Sequence, residues 1–189
     1  VGFRALCYYD SGSRSFYTTD RPILHPDDLK GMKIRVQQSK MAIDLITTLG
    51  GIPTPISFGE LYTSLQQGLV DGAENNPPSL HTSRHYEVCK HYSLDEHTRV
   101  PDILLISEAV WEQLDPELQR MLQEAADESC VYQRELWKKT SQESLDIMRE
   151  AGVQIYTPDP APFQEKVMPM YSQYEGTEIG AMMDRIRAY

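Results

Sequence analysis

The sequence predicts an α/β fold, a sheet covered by helices, and three observations carry that expectation. From Gly31 to Pro77, strand-like and helix-like segments alternate in a βαβαβ order. Ile103-Leu104-Leu105-Ile106 is a continuous apolar run, the pattern of a strand covered on both faces. Asp115-Pro116-Glu117 is a strong helix start, and no breaker follows it until Gly152.

Val1 to Tyr9 is strand-like, Asp10-Ser11-Gly12-Ser13 is a turn, and Arg14 to Thr19 is a second strand rich in β-formers. His25 to Leu29 starts a short helix with Pro26 early and acids in its first turn, and Gly31 ends it. Met32-Lys33-Ile34-Arg35-Val36 reads as a short buried strand. Ser39 then caps a helix whose apolar face is Met41, Ala42, Leu45, Ile46 and Leu49, stopped by Gly50-Gly51. Ile52 to Ile56 is a short strand interrupted by Pro53 and Pro55. Ser57-Phe58-Gly59-Glu60 has the spacing of a capping box, and Leu61 and Leu65 of its helix face inward. Val70 to Asn75 is the strand that closes the unit, ending in the turn at Asn76-Pro77.

Pro78 to Cys89 is expected to be helical, and Tyr92-Ser93-Leu94 leads into Asp95-Glu96-His97. Glu108 to Leu114 is a short helix. The helix from Pro116 to Ala151 spans roughly 50 Å at about 1.5 Å per residue, more than one small domain, so it is expected to bridge two lobes. Leu118, Leu122, Ala125, Ser129, Tyr132, Leu136 and Leu145 form its expected inward stripe. Ala125 and Ser129 make a poor coiled-coil seam. Val153 to Thr157 is a last strand, and Phe163 to Arg187 is an amphipathic helical tail after a proline-marked loop. The sequence thus separates into an α/β lobe (1–93), a hinge strand with a short helix (94–114), the bridging helix (115–152), and a strand with the tail (153–189).

The 189 residues include 28 acidic and 18 basic side chains, a formal charge of −10. That balance argues against nucleic acid or an anionic membrane surface as the main partner. An acidic protein still binds an anion where a few cations are held in a cleft. No apolar run is long enough to span a bilayer. The opening residues read as the inside of a strand and not as a signal peptide, so the natural N-terminus is expected to lie upstream. Cys7, Cys89 and Cys130 show no CxxC or disulfide spacing and read as small buried hydrophobes.

The order of the βαβαβ unit returns its strands to one sheet edge, so Arg35 and Asn75 converge at strand ends. An Arg fork and an amide there suit a carboxylate that carries hydroxyl groups. Arg14 and Arg35 could each instead be held in an internal ion pair, and pattern alone favours neither reading. His81 and His85, four apart, would share a helix face; without a Glu beside His81 a solvated face is favoured over a metal site. His97, after Asp95 and Glu96, could bond a ligand, although a lone histidine reads as structural. The glycines at 68 and 72 lack nucleotide-loop spacing, and no nucleophile motif is present, so neither cofactor nor catalysis is expected.

Four segments in register resemble one family. They are Ser13-Arg14-Ser15-Phe16-Tyr17-Thr18-Thr19, Leu29-Lys30-Gly31-Met32-Lys33-Ile34-Arg35-Val36, Phe58-Gly59-Glu60-Leu61-Tyr62-Thr63-Ser64-Leu65-Gln66 and Val70-Asp71-Gly72-Ala73-Glu74-Asn75. Their order and spacing are similar to those of the solute-binding proteins of TRAP transporters, the DctP family. The resemblance implies a periplasmic-binding-protein-like (type II) fold, two-lobed, that closes on a small organic acid in the periplasm and delivers it to membrane permease subunits. By the same resemblance Arg35 pairs with the ligand carboxylate, Arg14 assists it, Asn75 bonds the ligand, Phe58 lies against its body and His97 lines the site from the hinge strand. Gln37 stands where many members have proline. With Asp95 and Glu96, it points to a hydroxylated ligand, a sugar acid such as a uronate.

Members of the family are longer. The first lobe is therefore expected to be incomplete here, and the protein to pair with that N-terminal lobe or self-associate. The alternative reading is an intracellular effector-sensing domain of the same periplasmic-binding type.

Overall fold

The computed structural model describes residues 2–188, so Val1 of the expected first strand lies outside the described residues. A six-stranded sheet carries the order β4-β3-β5-β2-β6-β8. One half of it, starting from the β4 edge, is the predicted unit: β3 (Lys33–Val36), α1 (Lys40–Leu49), β4 (Ile52–Pro55), α2 (Phe58–Gln66) and β5 (Gly72–Asn75). β3 pairs parallel with both β4 and β5. β2 (Ser13–Thr18) runs antiparallel to β5 and to β6 (His91–Arg99), and β8 (Gln154–Tyr156) adds parallel to β6.

Strand alternation sorts the core into two layers. Phe16 of β2 and Ile34 and Val36 of β3 pack with Ile46 and Leu49 of α1 and with Phe163 of α6 (Ala161–Ser172). Tyr17 and Ala73 pack on the other side with Leu61 and Leu65 of α2, and with Met148. Arg35, between Ile34 and Val36, is thereby sent to the α2 side. Because β3 is flanked by β4 and β5, the strand order reverses at its end, the place where open α/β sheets form a crevice beyond their strand ends.

A second, two-stranded sheet pairs β1 (Phe3–Tyr9) antiparallel with β7 (Asp102–Ser107), with a bulge between Ala5 and Cys7. A short helix, α4 (Glu108–Trp111), follows β7; the long helix is present as α5 (Pro116–Glu150), and Asp115 caps it by accepting from the N–H groups of Glu117 and Leu118 at 3.0 and 2.9 Å. α5 packs on β1 and on α3 (Pro77–Thr82), so it joins the small sheet to the large one.

Its orientation differs from the expected one. Of the expected stripe, Ser129 and Leu145 turn inward, but Leu118, Leu122, Ala125, Tyr132 and Leu136 face outward, while Gln123, Ala126, Cys130, Gln133, Ser144 and Met148 turn inward. The reason is the free edge of β1, whose backbone groups need partners. Gln123 Nε2 donates to Leu6 O at 2.9 Å, and the Cys130 thiol donates to Tyr8 O at 3.0 Å. Gln133 both accepts from Asp10 N (2.9 Å) and donates to Asp10 O (2.7 Å), as a strand neighbour would.

The apolar run of β7 is likewise covered on one side only. Ile103 and Leu105 are 47% and 50% exposed, because β1 and β7 have no second layer over their outer face among the described residues. Phe3 and Tyr8 extend the same apolar surface.

Three local expectations also change. The segment 78–89 is helical only to Thr82; Arg84 is left-handed (φ +57°), and a 3₁₀ turn follows at His85–Glu87. His81 and His85 therefore share no face: His81 meets Ser144 at 3.3 Å, while His85 is buried against the Tyr17 hydroxyl at 2.9 Å. The core hydroxyl needs that partner. At α2, the Ser57 hydroxyl donates to the Glu60 carboxylate instead of accepting from the helix backbone, so only the spacing of a capping box is present. The tail divides into α6 and α7 (Glu178–Arg187), with Thr177 capping the second by accepting from Gly180 N at 3.1 Å. No helix among the described residues is long and apolar enough to cross a membrane.

Candidate functional site

Arg35 is only 4% exposed. Its Nε donates to Ile56 O at 2.8 Å, and its guanidinium carbon lies 5.6 Å from the Phe58 ring centroid. Phe58 is braced edge-on by His85 at 5.4 Å. Among the described residues no carboxylate lies within ion-pair distance of Arg35. Burial pulls its pKa below the ordinary value, with Tyr17 and Glu74 acting against that pull, yet a guanidinium remains charged at any physiological pH.

Arg14 stands in the opposite state. It forks onto the Glu74 carboxylate through Nε and Nη2, the latter at 2.8 Å. Nη2 also donates to Glu74 O at 2.9 Å and Nη1 to Asn75 Oδ1 at 3.1 Å. Asn75 Oδ1 accepts a second bond from Asn76 N at 2.9 Å, which fixes the amide and leaves Nδ2 as its donor.

Behind Glu74 lies His97, whose side chain is 3% exposed. Its Nδ1 meets Asp95 Oδ2 at 2.7 Å and its ring stacks on Phe16 at 4.2 Å. Nε2 is 3.8 Å from Glu74 Oε2, within Coulombic reach but too far for a hydrogen bond, and it has no other partner among the described residues. Burial alone would disfavour the imidazolium; Asp95 and then Glu74 outweigh it and lift the pKa to about 9. Burial also opposes the Glu74 carboxylate, but His97 and Arg14 hold its pKa below the ordinary range. Arg14, Glu74, His97 and Asp95 thus form an alternating, formally neutral row of charges. Arg35 stands outside that row, with no carboxylate of the described residues in ion-pair distance.

The cleft over these groups has a volume of about 460 Å³. Arg14, Arg35, Gln37, Phe58, Asn75 and Asn76 line it, and Gly12 and Trp137 are part of its wall. Five of the seven expected site residues are therefore brought together. The other two, His97 and Glu96, border a separate depression beside Leu45 and Phe163. The cause is a bulge: Glu96 is left-handed (φ +49°) opposite the register shift between Arg14 and Phe16. The imidazole consequently turns into the interior between two carboxylates, while Glu96 points outward and bonds Ser15 Oγ only through its backbone N–H, at 3.1 Å.

Sequence reasoning missed Asn76, Gly12 and Trp137. Asn76 caps α3 through Oδ1 (2.9 Å from Ser79 N) and donates to Ser11 O at 3.0 Å; the Asn-Pro-Pro string is a readable cap signal. Trp137 gave no signal because the apolar periodicity of α5 points to the wrong face.

These shifts set a pH dependence of stability. His97 has a folded pKa of about 9, above its ordinary 6.5, so its contribution is complete below pH 6.5 and is lost as pH rises through 9. His85 has a folded pKa of about 4, lowered by burial and by Arg35, so its contribution is present above pH 6.5 and is lost as pH falls towards 4. Thermal melts across this range are expected to peak near pH 6.5. His97→Gln should flatten the alkaline limb and His85→Gln the acid limb; a wild-type profile with no alkaline limb between pH 6.5 and about 9 would contradict the assignment of His97.

The chain matches the DctP family, described as bacterial extracellular solute-binding protein, family 7, over residues 1–177. It belongs to that family. A solute-binding protein of Chromohalobacter salexigens is 42% identical over 170 residues, covering 89% of this chain and 51% of the relative. A TRAP periplasmic solute binding protein from Xanthobacter autotrophicus Py2, solved with bound β-D-galacturonate, is 45% identical with a TM-score of 0.90; the match covers 99% of this chain and 63% of that protein. One from Chromohalobacter salexigens with bound D-glucuronate is 41% identical with a TM-score of 0.88; here the match covers 92% of this chain and 58% of that protein. This DctP-family chain spans about half the length of the curated relatives it matches. These likenesses establish the type II periplasmic-binding fold; the family is one of solute-binding proteins.

Proposed function

We propose that the protein carrying this chain binds a hexuronate, of the kind of D-glucuronate or D-galacturonate, in the periplasm and hands it to the membrane subunits of a TRAP transporter. One observation carries the reading: Arg35 is a buried guanidinium in a polar cleft with no carboxylate of the described residues within ion-pair distance, while the neighbouring Arg14 is paired with Glu74. A ligand carboxylate supplies the missing anion in a forked, charge-assisted bond. Around that point Asn75, Asn76 and Gln37 offer amides for hydroxyl groups, and Phe58 offers an apolar face. The uronates bound by two structural neighbours support the same ligand class. The apolar exterior of β7 and α5 is the surface that a first lobe, or a second copy of this protein, would cover.

The test is a thermal-shift comparison on the full-length protein. D-glucuronate and D-galacturonate are expected to raise the melting temperature, and D-glucose and succinate are not. No shift with either uronate, or a larger one with succinate, would overturn the reading.

Asn75→Ala is expected to weaken uronate binding by about 0.5–1.5 kcal/mol, the net value of a neutral hydrogen bond. Titration calorimetry against the Arg35→Ala variant checks the ranking, and equal losses would show that charge is not the leading contribution.

A further inference from the structure

We infer that Trp137 lies against the ring of the bound sugar acid and makes the site prefer cyclic acids over acyclic ones; this rests on the uronate reading. Trp137 is the residue by which α5 reaches the cleft that holds Arg35, Phe58 and Asn75. Its placement is built. Gln133, one turn earlier on the same face, clamps the backbone of Asp10 through two bonds. The Asp10 carboxylate in turn accepts from Gly12 N at 2.9 Å, which shapes the turn under the indole. Gly12 has φ +69°, and a Cβ there would lie 2.9 Å from Trp137 Nε1 and 3.5 Å from Cε2 and Cζ2. Glycine is thus required twice, for the turn and for the close approach of the ring. The turn is tied to the far side of the cleft as well, since Ser11 O accepts from Asn76 Nδ2 at 3.0 Å.

A tryptophan fixed in this way and still partly exposed offers a flat apolar surface with one donor at its edge. A pyranose presents a matching face of C–H groups, and its ring hydroxyls lie at the rim. An acyclic acid of the same length presents no such face and loses conformational entropy on binding. Arg35 reads the carboxylate, which both kinds of acid share. Trp137 reads the ring, which only one has.

Calorimetry on the full-length protein with D-glucuronate and with the acyclic acid D-gluconate tests this. Trp137→Ala is expected to reduce the preference for glucuronate over gluconate at least about tenfold, and Trp137→Phe to retain most of it. Gly12→Ala, which strains the turn and crowds the indole, should also lower the preference for glucuronate. A folded Trp137→Ala protein, checked by circular dichroism, that keeps the wild-type preference would overturn the inference, as would an equal loss for both acids, which marks a structural role. A wild-type protein that binds no uronate would sink the uronate reading and the ring contact together.

Discussion

Arg35→Ala is expected to remove most of the uronate affinity of the full-length protein. Breaking a buried ion pair by deleting one partner typically costs about 3–5 kcal/mol, because the remaining charge is desolvated without compensation. That corresponds to a loss of roughly two to nearly four orders of magnitude in affinity. Arg35→Lys keeps the charge but not the fork, nor the Nε–H that satisfies Ile56 O, so an intermediate loss is expected. The same variants have a second signature. In the unliganded protein Arg35 is a charge whose burial works against it, as the lowered pKa indicates. Arg35→Ala is therefore expected to leave the melting temperature of the unliganded protein unchanged or raised while binding is lost. Calorimetry and thermal melts on one preparation read both, and near-wild-type affinity in a folded Arg35→Ala protein would remove the anchor.

Glu74→Ala is expected to have the largest effect on stability. Glu74 is the anion between two cations, forked by Arg14 and facing His97. Without it, Arg14 and His97 are left as like charges, the first at the cleft wall and the second in the interior. Removal of one partner from such a pair again costs about 3–5 kcal/mol; Arg14 loses its carboxylate, while His97 keeps Asp95. Glu74→Gln preserves shape and one acceptor, so its loss is expected to be smaller. His97 should also titrate lower in both variants, because one of the two carboxylates that raise its pKa is gone. Denaturant unfolding measures the first effect and NMR titration of the imidazole the second. A Glu74→Ala protein within about 1 kcal/mol of wild type, the range of an exposed ion pair, would mean that the row of charges is solvated and adds little.

The contrast between the two arginines marks where sequence reasoning stops. Both sit on strands, and the sequence pattern favours neither a ligand nor an internal carboxylate as the partner of either one. Pairing register does: β2 lies beside β5, so Arg14 meets Glu74, whereas Arg35 on β3 faces α2 and Phe58. The βαβαβ unit was legible because its helices carry one-sided apolar faces and its stops are glycines. The Asp115 cap was legible for the same local reason. α5 was misread because apolar periodicity reports burial only when the buried surface is apolar. Its inward face meets a strand edge, which calls for glutamines. His97 was expected in the cleft by analogy of position, and one left-handed residue, Glu96, turned it away. Gly12 and Trp137 come together from distant parts of the sequence, with no local signal at either.

On the uronate reading, Arg35, which has no carboxylate of the described residues in ion-pair distance, selects the ligand by its carboxylate. Calorimetric titration of the full-length protein with D-glucuronate and with D-glucuronamide tests it most directly, since the two share a ring and its hydroxyls and differ in the charge at one carbon. Glucuronate is expected to bind, and the amide to bind at least about tenfold more weakly, the lower bound set by a hydrogen bond to a charged group. Equal affinity for the acid and its amide would contradict that selection.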